Sequence, residues 1–224
     1  MAPPTCGTGV RNGVAGLFIT FEGIDRSGKS TQAKRLVEQL RAEERSVVFT
    51  LEPGGTELGR KVRDLLLERR SEVDPSAEML LFAADRAQHV NTVIRPALLQ
   101  DEVVVSDRFF DSTVVYQGYG RGLDLDRIRA VQEVAAGDLR PDLTVWIDVD
   151  LGTVKQRWKP EDADRLEAAG DAFFGRVRNG YQSIWQAEPE RILRVDGRLP
   201  ADDLACRIYN EVRERLAASP RRTG

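Results

Sequence analysis

Cysteine, histidine and long apolar runs are all scarce in this sequence. Its 224 residues include two cysteines and one histidine. Cys6 and Cys206 lie far apart and form no C-x-x-C motif, so we expect free thiols in a reducing compartment and no disulfide framework. No apolar run approaches the roughly 20 residues of a membrane-spanning helix. These features favour a cytoplasmic protein that does not enter a membrane.

An excess of charge of either sign is also missing. The net charge is −3, from 33 lysines and arginines and 36 aspartates and glutamates. No basic patch indicates nucleic-acid binding, and no polybasic block indicates a membrane surface. With 41% hydrophobic residues, a chain of this length can form one α/β domain with a sizeable core. We expect that domain at residues 17–218, between terminal tails at 1–16 and 219–224.

The sequence is instead rich in short apolar runs that alternate with amphipathic segments. The runs are LFITFE (17–22), SVVFT (46–50), EVVVSD (102–107), DLTVWIDV (142–149) and RILRVD (191–196). Such runs are typical of buried parallel strands. The segments between them have helical spacing, as at Ala33, Leu36, Val37 and Leu40. This alternation predicts an α/β fold of three layers, in which helices flank a five-stranded parallel sheet.

The segment GIDRSGKS (23–30) fits the pattern G-x-x-x-x-G-K-[ST] at every fixed position. It joins a predicted strand to a predicted helix, a context that favours a phosphate-binding loop over a tight glycine turn without a ligand. Gly23 and Gly28 let backbone N–H groups point at an anion. We expect Lys29 to bridge the β- and γ-phosphates and Ser30 to ligate Mg²⁺. The predicted nucleotide-binding residues are Gly23, Ile24, Asp25, Arg26, Ser27, Gly28, Lys29, Ser30 and Thr31.

A second informative stretch, VVVSDRF (103–109), ends a predicted strand with Asp107 and Arg108. Ligands of open α/β sheets bind at this carboxyl edge. Asp107 is suited to hold Mg²⁺ or its waters, and Arg108 to bind a phosphate; a surface ion pair is the alternative. The N-K-x-D motif of GTPases is absent, and ATP-driven motors usually have longer chains. The residues therefore favour a small kinase.

Five strings together resemble the thymidylate kinase family in order and spacing. They are FEGIDRSGKSTQ, EPGGTELG, MLLFAADRAQHV, DRFFDSTVVYQGYGRG and ADRLE. The resemblance runs from about Leu17 to the last predicted helix. It implies transfer of the γ-phosphoryl group of ATP to dTMP, with Mg²⁺ as cofactor and a homodimer as the common assembly. The acceptor phosphate is already anionic, since its second pKa is about 6, so no general base is needed.

The resemblance also implies roles on the acceptor side. Asp25 would hold the deoxyribose 3′-hydroxyl, Phe82 would stack on thymine, and Arg86 would donate to its O4. Arg108 would clamp the acceptor phosphate, and Tyr116 would exclude ribonucleotides by crowding the 2′ position. The other positions expected to line the base and sugar are Ser112, Thr113 and Gln117.

Two residues of the predicted helix MLLFAADRAQHV can also be interpreted as structural residues without a role in binding. Without the resemblance, Phe82 would be interpreted as a core aromatic side chain. His89, the one histidine, is expected to be structural.

Two positions depart from the family pattern. Leu51 replaces an arginine that contacts the acceptor phosphate in bacterial members, so Arg108 or a neighbour such as Arg60 or Arg63 must supply more charge. This leaves another pyrimidine deoxynucleotide open as the acceptor. Arg26 stands where bacterial members often have glycine. We expect it to act in cis like an arginine finger on the transferring phosphoryl group.

The charged segment 152–170 resembles the lid of the family. It includes Arg165, which we expect to act in catalysis together with Arg26, Lys29, Asp107 and Arg108. A plain solvated connection is the alternative, and charge alone favours it. For the chain as a whole, a nucleotide-binding regulatory protein without transferase activity is an alternative, although the intact lysine, aspartate and arginine argue against it.

Overall fold

The computed structural model describes residues 16–68, 72–157 and 170–218. The strands are β1 (Phe18–Glu22), β2 (Val47–Leu51), β3 (Val103–Asp107), β4 (Leu143–Asp148) and β5 (Ile192–Asp196). They form one parallel sheet in the order β2-β3-β1-β4-β5. The prediction of a five-stranded parallel sheet is therefore confirmed, and each strand lies within its predicted apolar run or within one residue of it.

Helices connect the strands on both faces of the sheet. The α-helices are α1 (Lys29–Ala42), α2 (Glu57–Leu67), α3 (Pro75–His89), α4 (Arg95–Leu99), α5 (Phe110–Thr113), α6 (Leu125–Ala136), α7 (Leu151–Arg157), α8 (Asp171–Ala187) and α9 (Ala201–Ala218). Two π-helical segments, π1 (Val90–Ile94) and π2 (Val114–Gly120), follow α3 and α5 without a break. The helical patterns predicted after β1, before β3, before β4 and at the C-terminus are confirmed as α1, α3, α6 and α9.

The core lies in layers on the two faces of the sheet, because successive strand residues point to opposite sides. Ile19 packs against α1 and α9 through Leu36 and Ile208. Its neighbour Phe18 packs on the other face with Ile94 and Phe109. The apolar stripe predicted for α1 is buried along its whole length.

Parallel pairing brings the carboxyl ends of β2, β3 and β1 side by side. Leu51 is in register with Asp107, and Asp107 with Phe21. The phosphate-loop segment, the EPGG segment and the segment that begins at Arg108 leave the sheet from these three ends. The fold therefore gathers three of the strings identified in the sequence at one edge.

Several predictions concern residues outside the described ranges. The tails at 1–16 and 219–224 lie there apart from Gly16, as does 158–169 of the predicted lid. Residues 152–157 of that segment belong to α7, so this part is helical. Cys206 is an exposed free thiol, as predicted. None of the described helices is long and apolar enough to span a bilayer.

Candidate active site

The phosphate loop forms the turn from β1 into α1. Gly23 and Gly28 have φ angles of 144° and 101°, which side chains rarely adopt. A Cβ atom on Gly23 would also lie 2.6 Å from the carbonyl oxygen of Ile147, so this position requires glycine. The loop ends at Lys29, the first residue of α1. The predicted strand, loop and helix are thus confirmed.

Asp25 is the centre of charge in the loop. Lys29 Nζ lies 3.2 Å from its Oδ1, and Arg108 Nη2 pairs with the same oxygen. Tyr116 donates its hydroxyl hydrogen to Oδ2 at 3.0 Å. Burial would raise the pKa of Asp25, but the charges of Arg108 and Lys29 outweigh burial and hold the pKa well below its usual range. One carboxylate therefore joins the lysine predicted to bind the donor phosphates to the arginine predicted to bind the acceptor phosphate. The sequence did not reveal this double contact.

Arg108 is held from several sides. Its φ angle of 73° directs the chain sharply away from β3. Nη1 donates to the backbone oxygen of Gly23 at 3.2 Å and to Ser112 Oγ at 3.0 Å. Its guanidinium lies over the Tyr116 ring, 5.0 Å from the centroid. A guanidinium fixed in this way is positioned to bind an anion with little loss of side-chain entropy.

Glu22, the last residue of β1, supports this arrangement from below and was missed by sequence reasoning. Its Oε1 accepts from the backbone N–H of Phe109 at 2.8 Å. Its Oε2 accepts from Ser112 Oγ at 2.6 Å and from the Tyr181 hydroxyl at 2.8 Å. Burial and the nearby Asp111 carboxylate raise the pKa of Glu22 to about 7. Glu22 therefore holds the turn after β3 through these hydrogen bonds, although its burial disfavours the ionised form.

Ser30 and Asp107 offer two oxygen ligands side by side. The Ser30 hydroxyl donates to Asp107 Oδ2. The other carboxylate oxygen, Oδ1, is buried and has no hydrogen-bond partner among the described residues. Mg²⁺ prefers hard oxygen ligands and keeps several of its waters, so a hydroxyl and a carboxylate suit it. The two residues predicted as metal ligands fit that ion.

A cleft opens beside the phosphate loop. Its walls come from the loop, α2, α3 and the segment 108–117, and its lining residues are Asp25, Glu52, Pro53, Arg63, Leu67, Phe82, Arg86, Arg108, Phe109, Ser112, Thr113, Tyr116 and Gln117. All eight residues predicted for the acceptor line this cleft. Phe82 is half-buried in its wall and belongs to none of the core clusters. The alternative of a core aromatic for Phe82 is therefore wrong.

Arg86 is fixed by a buried network. Its Nε and Nη2 each lie 2.8 Å from Glu52 Oε2. Its Nη1 donates to Thr113 Oγ1 and Gln132 Oε1. Of the five guanidinium N–H groups, these contacts leave one, on Nη2, for the cleft.

Glu52 is held in turn by His89, whose Nδ1 lies 2.8 Å from Glu52 Oε1. His89 is fully buried, and its Nε2 lies 2.6 Å from Thr50 Oγ1. These contacts agree with the structural role predicted for the histidine.

Arg63 is one of the two cations considered as a replacement for the arginine missing at Leu51. It lines the cleft, and its Nη1 donates to the backbone oxygen of Pro53 at 2.9 Å. Arg60, one helical turn earlier, is exposed and does not line the cleft. Of the two neighbours considered from the sequence, only Arg63 lines the cleft.

Arg26 lies in the loop with a left-handed φ angle of 64°. Its Nη1 approaches the backbone oxygen of Arg157, at the end of α7, at 3.5 Å. Arg157 returns the contact by donating to the backbone oxygens of Arg26 and Ser27 at 3.2 Å and to that of Gly197 at 2.8 Å. Arg157 thus connects the loop with the turn after β5, a role that sequence reasoning missed. Arg165 lies outside the described residues.

Comparison with known proteins agrees with this geometry. The family model described as "Thymidylate kinase" matches residues 21–208. A thymidylate kinase of Synechococcus sp. (strain JA-3-3Ab) is 47% identical, over 92% of this chain and all of its own length. One of Leifsonia xyli is 48% identical, over 86% and 92%. The crystal structure of thymidylate kinase from Ehrlichia chaffeensis covers 89% of this chain and 99% of its own, with 36% identity and a TM-score of 0.74. The chain belongs to the thymidylate kinase family.

Proposed function

We propose that this protein transfers the γ-phosphoryl group of ATP to the 5′-phosphate of dTMP, giving dTDP and ADP. The observation that carries the proposal is the position of the acceptor cleft. It adjoins the phosphate loop and shares Asp25 with it, and Asp25 contacts both Lys29 and Arg108. Two phosphate chains bound to this lysine and this arginine would meet end to end, as direct transfer requires.

Catalysis then consists of alignment and charge neutralisation. The attacking oxygen of a monophosphate is already anionic, so no side chain has to remove a proton. Arg108 positions the attacking phosphate, and Lys29 neutralises charge between the β- and γ-phosphates. Ser30 and Asp107 would hold Mg²⁺, which supplies further positive charge on the transferring group when it is bound.

The remaining cleft residues determine which acceptor fits. Phe82 offers a face for stacking on a pyrimidine, and the remaining N–H of Arg86 is a donor for its O4. Tyr116 is held by Asp25 and Arg108 through its hydroxyl, so its ring cannot easily move aside for a ribose 2′-hydroxyl. Arg63 supplies the acceptor-side cation in place of the arginine missing at Leu51.

We also propose that Arg26 stabilises the transferring phosphoryl group, with Arg165 as a second cation. Arg26→Ala should lower kcat by about 10³-fold with both substrates saturating, the lower end of the range for such arginines. Arg35→Ala is a matched control, because Arg35 is a partly exposed residue of α1 that pairs with the exposed Asp202. A fall of less than about fivefold for Arg26→Ala would assign the catalytic charge to other residues.

A coupled assay of ADP release against a panel of nucleoside monophosphates tests the reaction itself. The proposal requires turnover with dTMP above that with any other pyrimidine deoxynucleotide. A higher kcat/KM with another acceptor would identify the change at Leu51 as a change of substrate. Absence of ADP release with every acceptor would indicate a regulatory nucleotide-binding protein.

We further propose that the protein acts as a homodimer. α2 and α3 pack against each other beside the cleft. They carry three large apolar side chains that are exposed in the single chain: Leu58, Leu65 and Leu80. Pairing of this surface with a second copy would remove them from water.

A further inference from the structure

Behind Gln117, a buried carboxylate binds its side-chain amide. Glu78 is fully buried in the first turn of α3, and its Oε1 accepts from Gln117 Nε2 at 2.7 Å. The guanidinium of Arg121 lies 3.3 Å from both carboxylate oxygens, through Nε and Nη2. Gln117 itself is 1% exposed, so its amide cannot exchange this partner for bulk water.

The chemistry of these groups permits only one orientation of the amide. Both oxygens of the Glu78 carboxylate accept hydrogen bonds from Gln117 or Arg121, and a carboxylate accepts hydrogen bonds but cannot donate them. The NH₂ group of Gln117 must therefore face Glu78, which turns its carbonyl oxygen Oε1 away. Within the described ranges no group donates to this oxygen, and Gln117 lines the cleft. Gln117 therefore presents a hydrogen-bond acceptor, its Oε1, to the cleft.

Glu78 also belongs to the helix face that forms the cleft wall. It lies four residues before Phe82 and eight before Arg86, a spacing that places all three on one side of α3. Arg86 presents a donor, since its one uncommitted N–H is on Nη2. The wall therefore combines a fixed donor on α3 with a fixed acceptor on π2.

We propose that Glu78, held by Arg121, is a positioning residue that fixes the Gln117 amide so that its carbonyl oxygen accepts the N3–H of a thymine-type base. The inference rests on the proposed function and extends it to the choice of base. Thymine presents an N3–H donor and an O4 acceptor. Cytosine presents an N3 acceptor and an N4 amino donor, the reverse pattern. With dCMP, both Gln117 and Arg86 would meet like groups, and a site with unpaired buried polar groups rejects a ligand strongly.

The test replaces Glu78 with its isostere, Glu78→Gln. Glutamine carries both a donor and an acceptor, so Gln117 becomes free to turn over and present its NH₂ group to N3 of cytosine. The measurement is kcat/KM for dTMP and for dCMP, and their ratio should fall at least tenfold. Glu38→Gln is the matched control, since Glu38 is an exposed residue of α1, and its ratio should stay within twofold of the wild-type value.

A double-mutant cycle distinguishes orientation of Gln117 from general damage to the fold. Gln117→Met should lower the ratio by itself, and Glu78→Gln should then change it less than twofold further. An equal effect of Glu78→Gln in both backgrounds would overturn the inference, as would an unchanged ratio in the single variant.

Arg121→Met provides a second route if Glu78→Gln does not fold. Arg121 is partly exposed, and its loss should lower the ratio in the same direction by at least threefold. An unchanged ratio in a folded Arg121→Met variant would also overturn the inference. Wild-type protein that does not phosphorylate dTMP would instead overturn the proposed function.

Discussion

Glu22 and Asp25 are carboxylates three residues apart whose pKa values are shifted in opposite directions. Asp25 faces Arg108 and Lys29 and remains charged, whereas Glu22 faces hydroxyls and a backbone N–H in a fully buried site. The difference follows from partners and not from depth of burial, because a cation compensates for lost hydration and a neutral hydroxyl does so only in part. Each residue has a consequence that can be measured.

Glu22 should make stability fall as the pH rises. The folded protein holds its proton up to a pKa of about 7, whereas the unfolded chain releases it near 4.5. Unfolding therefore becomes easier between these values. Relative to wild type, Glu22→Gln should gain roughly 2–3 kcal/mol in free energy of unfolding from pH 5 to pH 8. Urea denaturation at both pH values measures this gain, and an unchanged difference would show that Glu22 is charged throughout.

Arg63 should carry part of the affinity for the acceptor phosphate. Arg63→Ala removes a charge-assisted contact, so KM for dTMP should rise about tenfold or more. Arg60→Ala, on the exposed side of the same helix, should change KM less than twofold. Adding Leu51→Arg to the Arg63→Ala variant should recover part of the loss. Steady-state kinetics would contradict this role if the two alanine variants behaved alike.

At the scale of elements, the π-helical turn of π2 shapes the cleft. Arg121 donates its backbone N–H to the carbonyl oxygen of Tyr116, five residues earlier. α8 packs closely against this segment. A Cβ atom on Gly180 would lie 2.8 Å from the Tyr119 ring, and one on Gly120 would lie 2.6 Å from Phe173. Glycines at these contacts bring α8 close to the segment whose Tyr116 and Gln117 line the cleft.

Gly180→Ala should therefore destabilise the protein by about 1–3 kcal/mol, because the added methyl group displaces Tyr119. Gly175→Ala in the same helix meets no atom within 4 Å, so it should stabilise by up to about 1 kcal/mol through helix propensity alone. Thermal denaturation of both variants measures the difference. Equal shifts in Tm would mean that the α8 contact tolerates an extra methyl group.

A strand or helix could be predicted from the sequence where a single hydrophobic pattern determines it. The five strands were identified because buried parallel strands are continuous apolar runs, and α1 because its stripe repeats at helical spacing. π2 was not predicted, since its i→i+5 hydrogen bonds produce no apolar pattern with the helical or the strand period. The initial helical part of the predicted lid, α7, was also missed.

The candidate site also contains residues that the sequence predicted and residues that it did not. Family strings located all eight predicted residues of the cleft wall, including Phe82 and Arg86. The groups that orient them were not predicted: Glu22 bonds to residues 87 to 159 positions away, and Glu78 to one 39 positions away. Contacts over such separations depend on the completed fold and leave no local signal in the sequence.

At the scale of the whole molecule, the exposed leucines of α2 and α3 predict self-association. Wild-type protein should have a mass in solution of twice the 25.0 kDa of one chain. Leu65→Glu combined with Leu80→Glu should give monomers, because two buried charges would oppose the interface. Leu99→Glu is the control, since Leu99 is 68% exposed on α4, outside α2 and α3. Light scattering after size-exclusion chromatography decides, and a monomeric wild type would contradict the prediction.

The carboxylate of Asp25 also affects which solutes compete for the cleft. Because one acid is shared by Lys29 and Arg108, a simple anion such as inorganic phosphate meets two cations that already have a counter-ion, and it has to displace that counter-ion unaided. A nucleotide can draw on stacking and hydrogen bonding of its base and sugar to make the same exchange. We therefore expect the enzyme to keep its affinity for nucleotides in millimolar phosphate, and Asp25→Asn to make it sensitive to phosphate inhibition.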